Sequence, residues 1–311
     1  MYDSELIKYF KHPGLNSSLL GAFAEDPLVA IQKSKSKSYF EEGKAFERLF
    51  QDKITGSSRF SERFYVCEDI KIPESYIDVF KSSKPLTEFF VFTQKGEFNK
   101  QKDSLHEVLY QSLLDELYFS NGVRRYPIPL SDYKAMELSI DRLMNMPIEL
   151  FNGVEFILKD LIDGNTLFQY PIYWKSGEIE KKALFDMITF FEYDGHGWVL
   201  PLDLKFMANL SGMYQMFRRT KDKYCIQSAH YSEGLWFVEE FEGLRIYEQM
   251  PFIVATKTDP YYVQPFMMQP DSIDYVLEDY RQLCYDCKKW LDEGKPTTGI
   301  KKTAKVKIWR S

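Results

Sequence analysis

The segment YDGHGW, residues 193–198, constrains this chain more than any other. Asp194-Gly195 followed by Gly197 is a hairpin signal, because tight hairpin turns need positive φ at their centre and Asp and Gly tolerate it. The runs on either side, EIEKKALFDMITFFEY and GWVLPLDLKFM, read as two long strands. Antiparallel pairing about the turn places Asp186 opposite the region of Asp203 to Lys205, although Asp186 and Asp203 are 17 positions apart. Side chains alternate along a strand, so Asp203 and Lys205 share one face and Leu204 and Phe206 line the other. Burying two ionisable groups on an otherwise apolar strand is costly without partners, so a metal ion or a counter-charge is expected there. An Asp-x-Lys triplet beside a turn is common, and an Asp ending a strand is usually a turn or cap residue. The weight therefore rests on what accompanies it.

Two helices supply the company. The segment SKSKSYFEEGKAFERLFQ reads as a helix from Ser38, with Ser38 or Tyr39 near its start and Phe46, Leu49 and Phe50 as an apolar stripe. Glu41 and Glu42 suit the positive end of the helix dipole. Gly43 costs such a helix about 1 kcal/mol relative to Ala. It lies one turn before Glu47 on the same face, so its missing side chain lets a strand or a phosphate approach Glu47. The second helix falls within Asn209 to Ser232, broken near Thr220. On it Tyr224, Gln227 and Tyr231 sit at i, i+3 and i+7, one helix face.

The remaining segments frame these. Residues 1–30 are interrupted by Pro13, Gly14 and Pro27 and read as a weakly structured lead-in with a short helix. Residues 60–103 are mixed, with strands in RFYVCEDI and EFFVFT. Residues 102–164 read as a helical insertion: SLHEVLYQSLLDELYF, then SDYKAMELSIDRLMNM capped by its serine, then FNGVEFILKDLIDG. TLFQYPIYW is a strand, and so are GLWFVEEF, RIYEQMPFIVATKT and YYVQPFMM. A helix from Asp271, capped by Asp271 or Ser272, runs to Glu293 and stops at Gly294 and Pro296. Residues 295–311 form a basic tail. The pattern predicts an α/β (α+β) fold, a central mixed sheet flanked by helices, in one domain over 1–294.

Composition narrows the function classes. With 44% hydrophobic and 28% charged residues among 311, the chain has the make-up of an ordinary globular protein. No run approaches the roughly 18–20 apolar residues of a membrane span. The opening MYDSELIKYFKHPG lacks a signal-peptide apolar run, so a cytoplasmic protein is expected. The net charge of −6 does not attract phosphate. A nucleic-acid partner therefore requires local basic clusters. These are Lys33, Lys35 and Lys37; Arg218, Arg219, Lys221 and Lys223; and Lys301, Lys302, Lys305, Lys307 and Arg310. Each alone is more often a solvated face. Four cysteines, Cys67, Cys225, Cys284 and Cys287, are too few and scattered for a disulfide framework. Cys284 and Cys287, at i and i+3 of a helix, read as reduced thiols, since no second pair has ligand spacing.

Acids on adjacent strands with a lysine match the needs of phosphodiester hydrolysis: a nucleophilic water, a neutralised phosphate and a stabilised leaving group, all of which bound Mg²⁺ supports. Asp186 and Asp203 offer the oxygens that Mg²⁺ prefers, and the Leu204 carbonyl is a further ligand candidate. Lys205 could orient or deprotonate the attacking water, or stabilise developing charge.

The order GxxxE, D, DxK, QxxxY resembles the PD-(D/E)xK nuclease superfamily in its RecB-like branch, and most of all the RecE-type phage and prophage exonucleases. The resemblance spans roughly residues 30–240 and rests on GKAFERLF, KKALFDMI, LDLKFM and YCIQSAHYSEGL, the last two being the most specific. It implies a restriction-endonuclease-like core, Mg²⁺ dependence with Mn²⁺ as a substitute, and 5′-to-3′ degradation of double-stranded DNA ends. By position it implies Asp186 and Asp203 as metal ligands and Lys205 as the catalytic lysine. Gln227 and Tyr231 would shape the site or touch the DNA backbone, with Gly43 of the GxxxE motif as a further candidate; Arg218 and Arg219 are DNA-contact candidates by their charge alone. Many relatives carry His where this chain has Glu47, a residue still able to bind metal. Relatives with an iron–sulfur cluster hold it with four Cys, a set absent here, so no cluster is expected. The resemblance also implies a ring-forming homo-oligomer and a single-strand annealing recombination protein as partner. A structure-selective endonuclease and a non-catalytic DNA-binding scaffold are the competing readings, since fold alone does not decide between them.

Overall fold

The computed structural model describes residues 2–31, 38–67, 119–120, 123–162, 166–215, 217–219 and 221–295. Three helices open the chain: α1 (Tyr2–Lys11), α2 (Ser17–Glu25) and α3 (Pro27–Ile31). α4 (Ser38–Thr55) and α5 (Arg59–Arg63) follow, then β1 (Phe64–Cys67). After β2 (Phe119–Ser120), β3 (Val123–Arg124) and β4 (Tyr126–Pro129) come α6 (Leu130–Met144), β5 (Pro147–Phe151), β6 (Val154–Ile157) and α7 (Leu158–Leu161). The main sheet begins with β7 (Leu167–Ser176), β8 (Ile179–Tyr193) and β9 (His196–Met207). Then come α8 (Ser211–Gln215), α9 (Lys223–Leu235), β10 (Arg245–Ile246), β11 (Phe252–Thr256), β12 (Val263–Phe266) and α10 (Pro270–Asp292).

The main sheet has six strands in the order β12-β11-β9-β8-β7, with β10 also on β9. β7, β8 and β9 form an antiparallel meander, while β11 and β10 run parallel to β9, so the sheet is mixed as expected. Its hairpin closes through Asp194 at φ 52° and Gly195 at φ 70°, positive at both central positions, and pairs Tyr193 with His196. This backbone follows the right-handed twist of the flanking strands.

Helices cover both faces. α4 lays Phe46 and Phe50 onto a cluster that includes Leu200, Leu202 and Leu204, and Phe46 stacks on Phe206 at 4.3 Å. The Leu204–Phe206 side of β9 is thus the apolar one predicted. On the other face α9 is buried from Tyr224 to Leu235. Gly234 lets it approach the sheet: an added Cβ would stand 3.0 Å from the Trp174 ring. A third cluster joins Leu20 of α2 and Ile226 and Ala229 of α9 to Val276 and Tyr280 of α10.

Several expectations fail locally. The lead-in is helical and anchored: Lys182 Nζ donates to the carbonyls of Tyr9 and His12, both at 2.7 Å, closing the C-terminus of α1. Asn16 caps α2 by accepting from the Leu19 N–H at 2.9 Å. FNGVEFILKDLIDG is a hairpin followed by one helical turn, because Gly153 at φ 76° makes a turn of Asn152-Gly153. GLWFVEEF is the end of α9 and a short 3-10 turn, Glu239–Phe241. Ser131 lies inside α6, whose N-cap is Pro129, and α10 starts at Pro270 behind Gln269 rather than at a capping Asp271 or Ser272. The break expected near Thr220 is present, however: the segment Asn209 to Ser232 holds two helices, α8 ending at Gln215 and α9 beginning at Lys223. EFFVFT, SLHEVLYQSLLDELYF up to Tyr118, the Lys33–Lys37 cluster and the tail from 296 lie outside the described residues. Cys225, Cys284 and Cys287 are free and buried.

His230 of α9 is fully enclosed, with Nε2 2.9 Å from the Lys182 carbonyl and Nδ1 2.9 Å from the Tyr280 hydroxyl. Burial holds its pKa down at about 4, against the bond to Lys182. Between about 6.5 and about 4 the unfolded ring binds a proton that the native ring does not, so this residue's contribution falls on acidification. Relative to His230→Gln, the wild type is expected to lose about 3 kcal/mol of unfolding free energy over that window. Urea titrations of both proteins at a series of pH values measure it.

Candidate active site

β8 and β9 pair regularly from the turn as far as Met187 and Leu202. The next residues in that register are Asp186 and Asp203. Here the ladder changes: the Leu204 N–H is taken by the Asp186 carboxylate, which accepts at Oδ2 over 3.1 Å. A side chain replaces a backbone partner, and a cleft of about 780 Å³ opens beside it, lined among others by Glu47, Asp186, Leu204 and Lys205.

Asp203 is buried, at 1% exposure. Its Oδ1 accepts from the Gln227 amide, and its Oδ2 is held by the Lys205 ammonium. The Lys205 ammonium lies over the rings of Tyr224 and Phe252, at 5.6 and 5.8 Å. Burial alone would lower its pKa, but the charges of Asp203 and Asp186 raise it, so Lys205 is a firmly held cation. Asp186 is raised well above the usual carboxylate range, first by burial, then by Asp203 and Glu47. Glu47 reaches the cleft from α4 and is pushed up to about 7 by burial and by Asp203, with Lys205 opposing. Asp186 and Glu47 are thus carboxylates held short of full ionisation by poor solvation and by the neighbouring acids.

The other predicted residues fall differently. The Tyr231 hydroxyl donates to the Leu184 carbonyl at 2.7 Å and its ring packs on Phe185, so it braces β8 behind the carboxylates. Gly43 lines the cleft, and nothing stands within 4 Å of an added Cβ, so its effect is to leave the cleft open rather than to admit a strand. Arg218 and Arg219 are exposed on the turn before α9 and do not line the cleft. Lys223 of the same cluster does, together with Lys44, Arg48, Arg63 and Lys257. Leu6 and Phe10 of α1 and Gln169 of β7 also line it, and no motif pointed to them. The only signal for α1 was the apolar spacing of Leu6 and Phe10.

Among the described residues no three Asp, Glu, His or Cys side chains already stand together as a metal cage. The donors nevertheless fit a hard cation. Asp186, Asp203 and the Leu204 carbonyl are oxygen donors on adjacent strands, and Mg²⁺ is commonly held by one or two carboxylates plus water.

No family model matches the sequence, and no curated protein matches it. Among solved structures, a "Putative exonuclease" from Eubacterium rectale aligns over 89% of this chain and 97% of that chain, with 12% identity and a TM-score of 0.36. A likeness that distant carries no functional argument. Among the described residues no helix is long and apolar enough to cross a membrane.

Proposed function

We propose that this chain is a divalent-cation-dependent deoxyribonuclease that degrades linear double-stranded DNA from its ends. The observation that carries the reading is the meeting of Asp186, Asp203 and Lys205 across one hairpin, with Asp203 buried behind a cleft that Asp186 and Lys205 line and Glu47 enters from α4. Asp186, Asp203, the Leu204 carbonyl and Glu47 would hold the cation. When bound it lowers the pKa of water and neutralises phosphate charge. Lys205, kept protonated, places a fixed positive charge beside the scissile phosphate. Gln227 fixes the Asp203 carboxylate by donating to one of its oxygens, and Tyr231 fixes the strand that carries Asp186. Lys44, Arg48, Arg63, Lys223 and Lys257 give the cleft the local positive rim that a chain of net charge −6 needs for a polyanion. Five-prime-to-three-prime polarity, a ring-shaped homo-oligomer, an annealing protein as partner and a role in phage-type recombination in the cytoplasm follow from the sequence resemblance.

Digestion of end-labelled linear duplex beside a covalently closed circle tests the reading. With Mg²⁺ or Mn²⁺ the linear DNA is expected to shorten from its ends while the circle survives. Chelation and Asp203→Ala are expected to stop the reaction. A nicked circle would instead mark an endonuclease, and tight binding without cleavage under any divalent ion a scaffold.

A further inference from the structure

Gln169 lies outside the acid–lysine set, yet its backbone is anomalous for its place. It has φ 49° inside the ten-residue strand β7. Left-handed backbone is unfavourable for a side chain of this kind and rare within a strand. Such strain persists where the surroundings over-determine it, and it gathers at functional sites. The ladder shows the consequence. β7 and β8 pair without a break from Leu167↔Ile188 to Ser176↔Ile179, except that the Gln169–Asp186 step between Phe168↔Met187 and Tyr170↔Phe185 is skipped. The strained residue therefore stands opposite the carboxylate, and its side-chain amide donates to Asp186 Oδ1 at 3.4 Å. Asp186 Oδ2 accepts from the Leu204 N–H on the other neighbouring strand. One donor from each side thus fixes the plane of the carboxylate.

We infer that Gln169 is a positioning residue for Asp186 as a cation ligand, an inference that rests on the cation-dependent reading above. A carboxylate that binds a small hard cation must present a lone pair in one direction, and donors to its oxygens set that direction. Were the backbone kink there only to shape the chain, glycine would serve better, since it takes positive φ without strain. The side chain that tolerates the strain is one whose amide reaches the acid.

Mn²⁺ binding by isothermal titration calorimetry, measured alongside thermal unfolding, tests this on the full chain. Gln169→Gly relieves the backbone and removes the amide. It is expected to unfold no earlier than wild type while binding Mn²⁺ about 10–100-fold more weakly, with kcat on linear DNA reduced and KM for DNA unchanged. Gln169→Asn keeps an amide that is one methylene shorter and is expected to fall between the two. An unchanged Mn²⁺ affinity in Gln169→Gly, with wild type binding normally, overturns the positioning role alone. A wild-type protein that binds no Mn²⁺ and cleaves no DNA overturns the cation reading and this inference with it.

Discussion

Lys205→Met is expected to lower DNA cleavage by about 10²–10⁴-fold, the range lost when a positioned charged or proton-transferring group is removed. Methionine keeps a chain that packs over Tyr224 and Phe252, so the loss is one of charge rather than of shape. The same substitution has a second effect that separates site chemistry from misfolding. In the wild type the ammonium lies against Asp203 and lowers the cost of ionising Asp186 and Glu47. Without it the three acids lose their nearest cation, and without divalent ions the variant is expected to be destabilised by a few kcal/mol. A divalent cation bound to the native state stabilises it by mass action. Thermal unfolding of Lys205→Met should therefore respond to Mg²⁺ more strongly than that of the wild type. A variant that loses activity but gains no cation dependence of its unfolding temperature would place the lysine away from any metal.

What the sequence disclosed and what it hid follow from the range of the interactions involved. The Asp194-Gly195 turn is local, and it set the register that brings Asp186 and Asp203 together, so the centre of the candidate site was legible. Gln227 was legible for the same reason: a helix repeat fixes which residues share a face. The anchoring of α1 was not, because its C-terminus is closed by Lys182, about 170 residues away along the chain. Asn152-Gly153 was a turn signal overridden by an apolar pattern that also suited a helix, and positive φ at Gly153 decided for the hairpin. Nothing in the type of residue marks Gln169 as left-handed; that conformation is set by the strands around it. Arg218 and Arg219 drew attention by charge alone, and charge on a turn does not say where the turn points.

Lys181→Met is expected to destabilise the fold by about 3–5 kcal/mol, the cost of leaving one member of a buried ion pair alone. Lys181, at 1% exposure, and Glu233, at 4%, meet at 2.5 Å between β8 and α9. The Trp174 indole and the Tyr280 hydroxyl donate to the same carboxylate oxygen, at 3.0 and 2.9 Å, and the Ser176 hydroxyl to the other at 3.3 Å. Burial alone would raise the Glu233 pKa, but Lys181 and these donors bring it below the usual value. Its contribution is therefore present above the unfolded pKa near 4.5 and lost as pH falls through the lower native one. Replacing both partners, Lys181→Met with Glu233→Leu, removes the orphaned charge, and the urea midpoint is expected to recover most of the loss. The pair also bears on the candidate site through position alone. Lys181 lies five residues before Asp186 on β8, and Glu233 six after Gln227 on α9, so the bridge sets the spacing between the strand that carries Asp186 and the helix whose Gln227 donates to Asp203. If it acts only as a clamp, the double variant should keep its Mn²⁺ affinity while Lys181→Met loses both affinity and stability; equal loss of affinity in both would show that spacing at the site depends on the charges themselves.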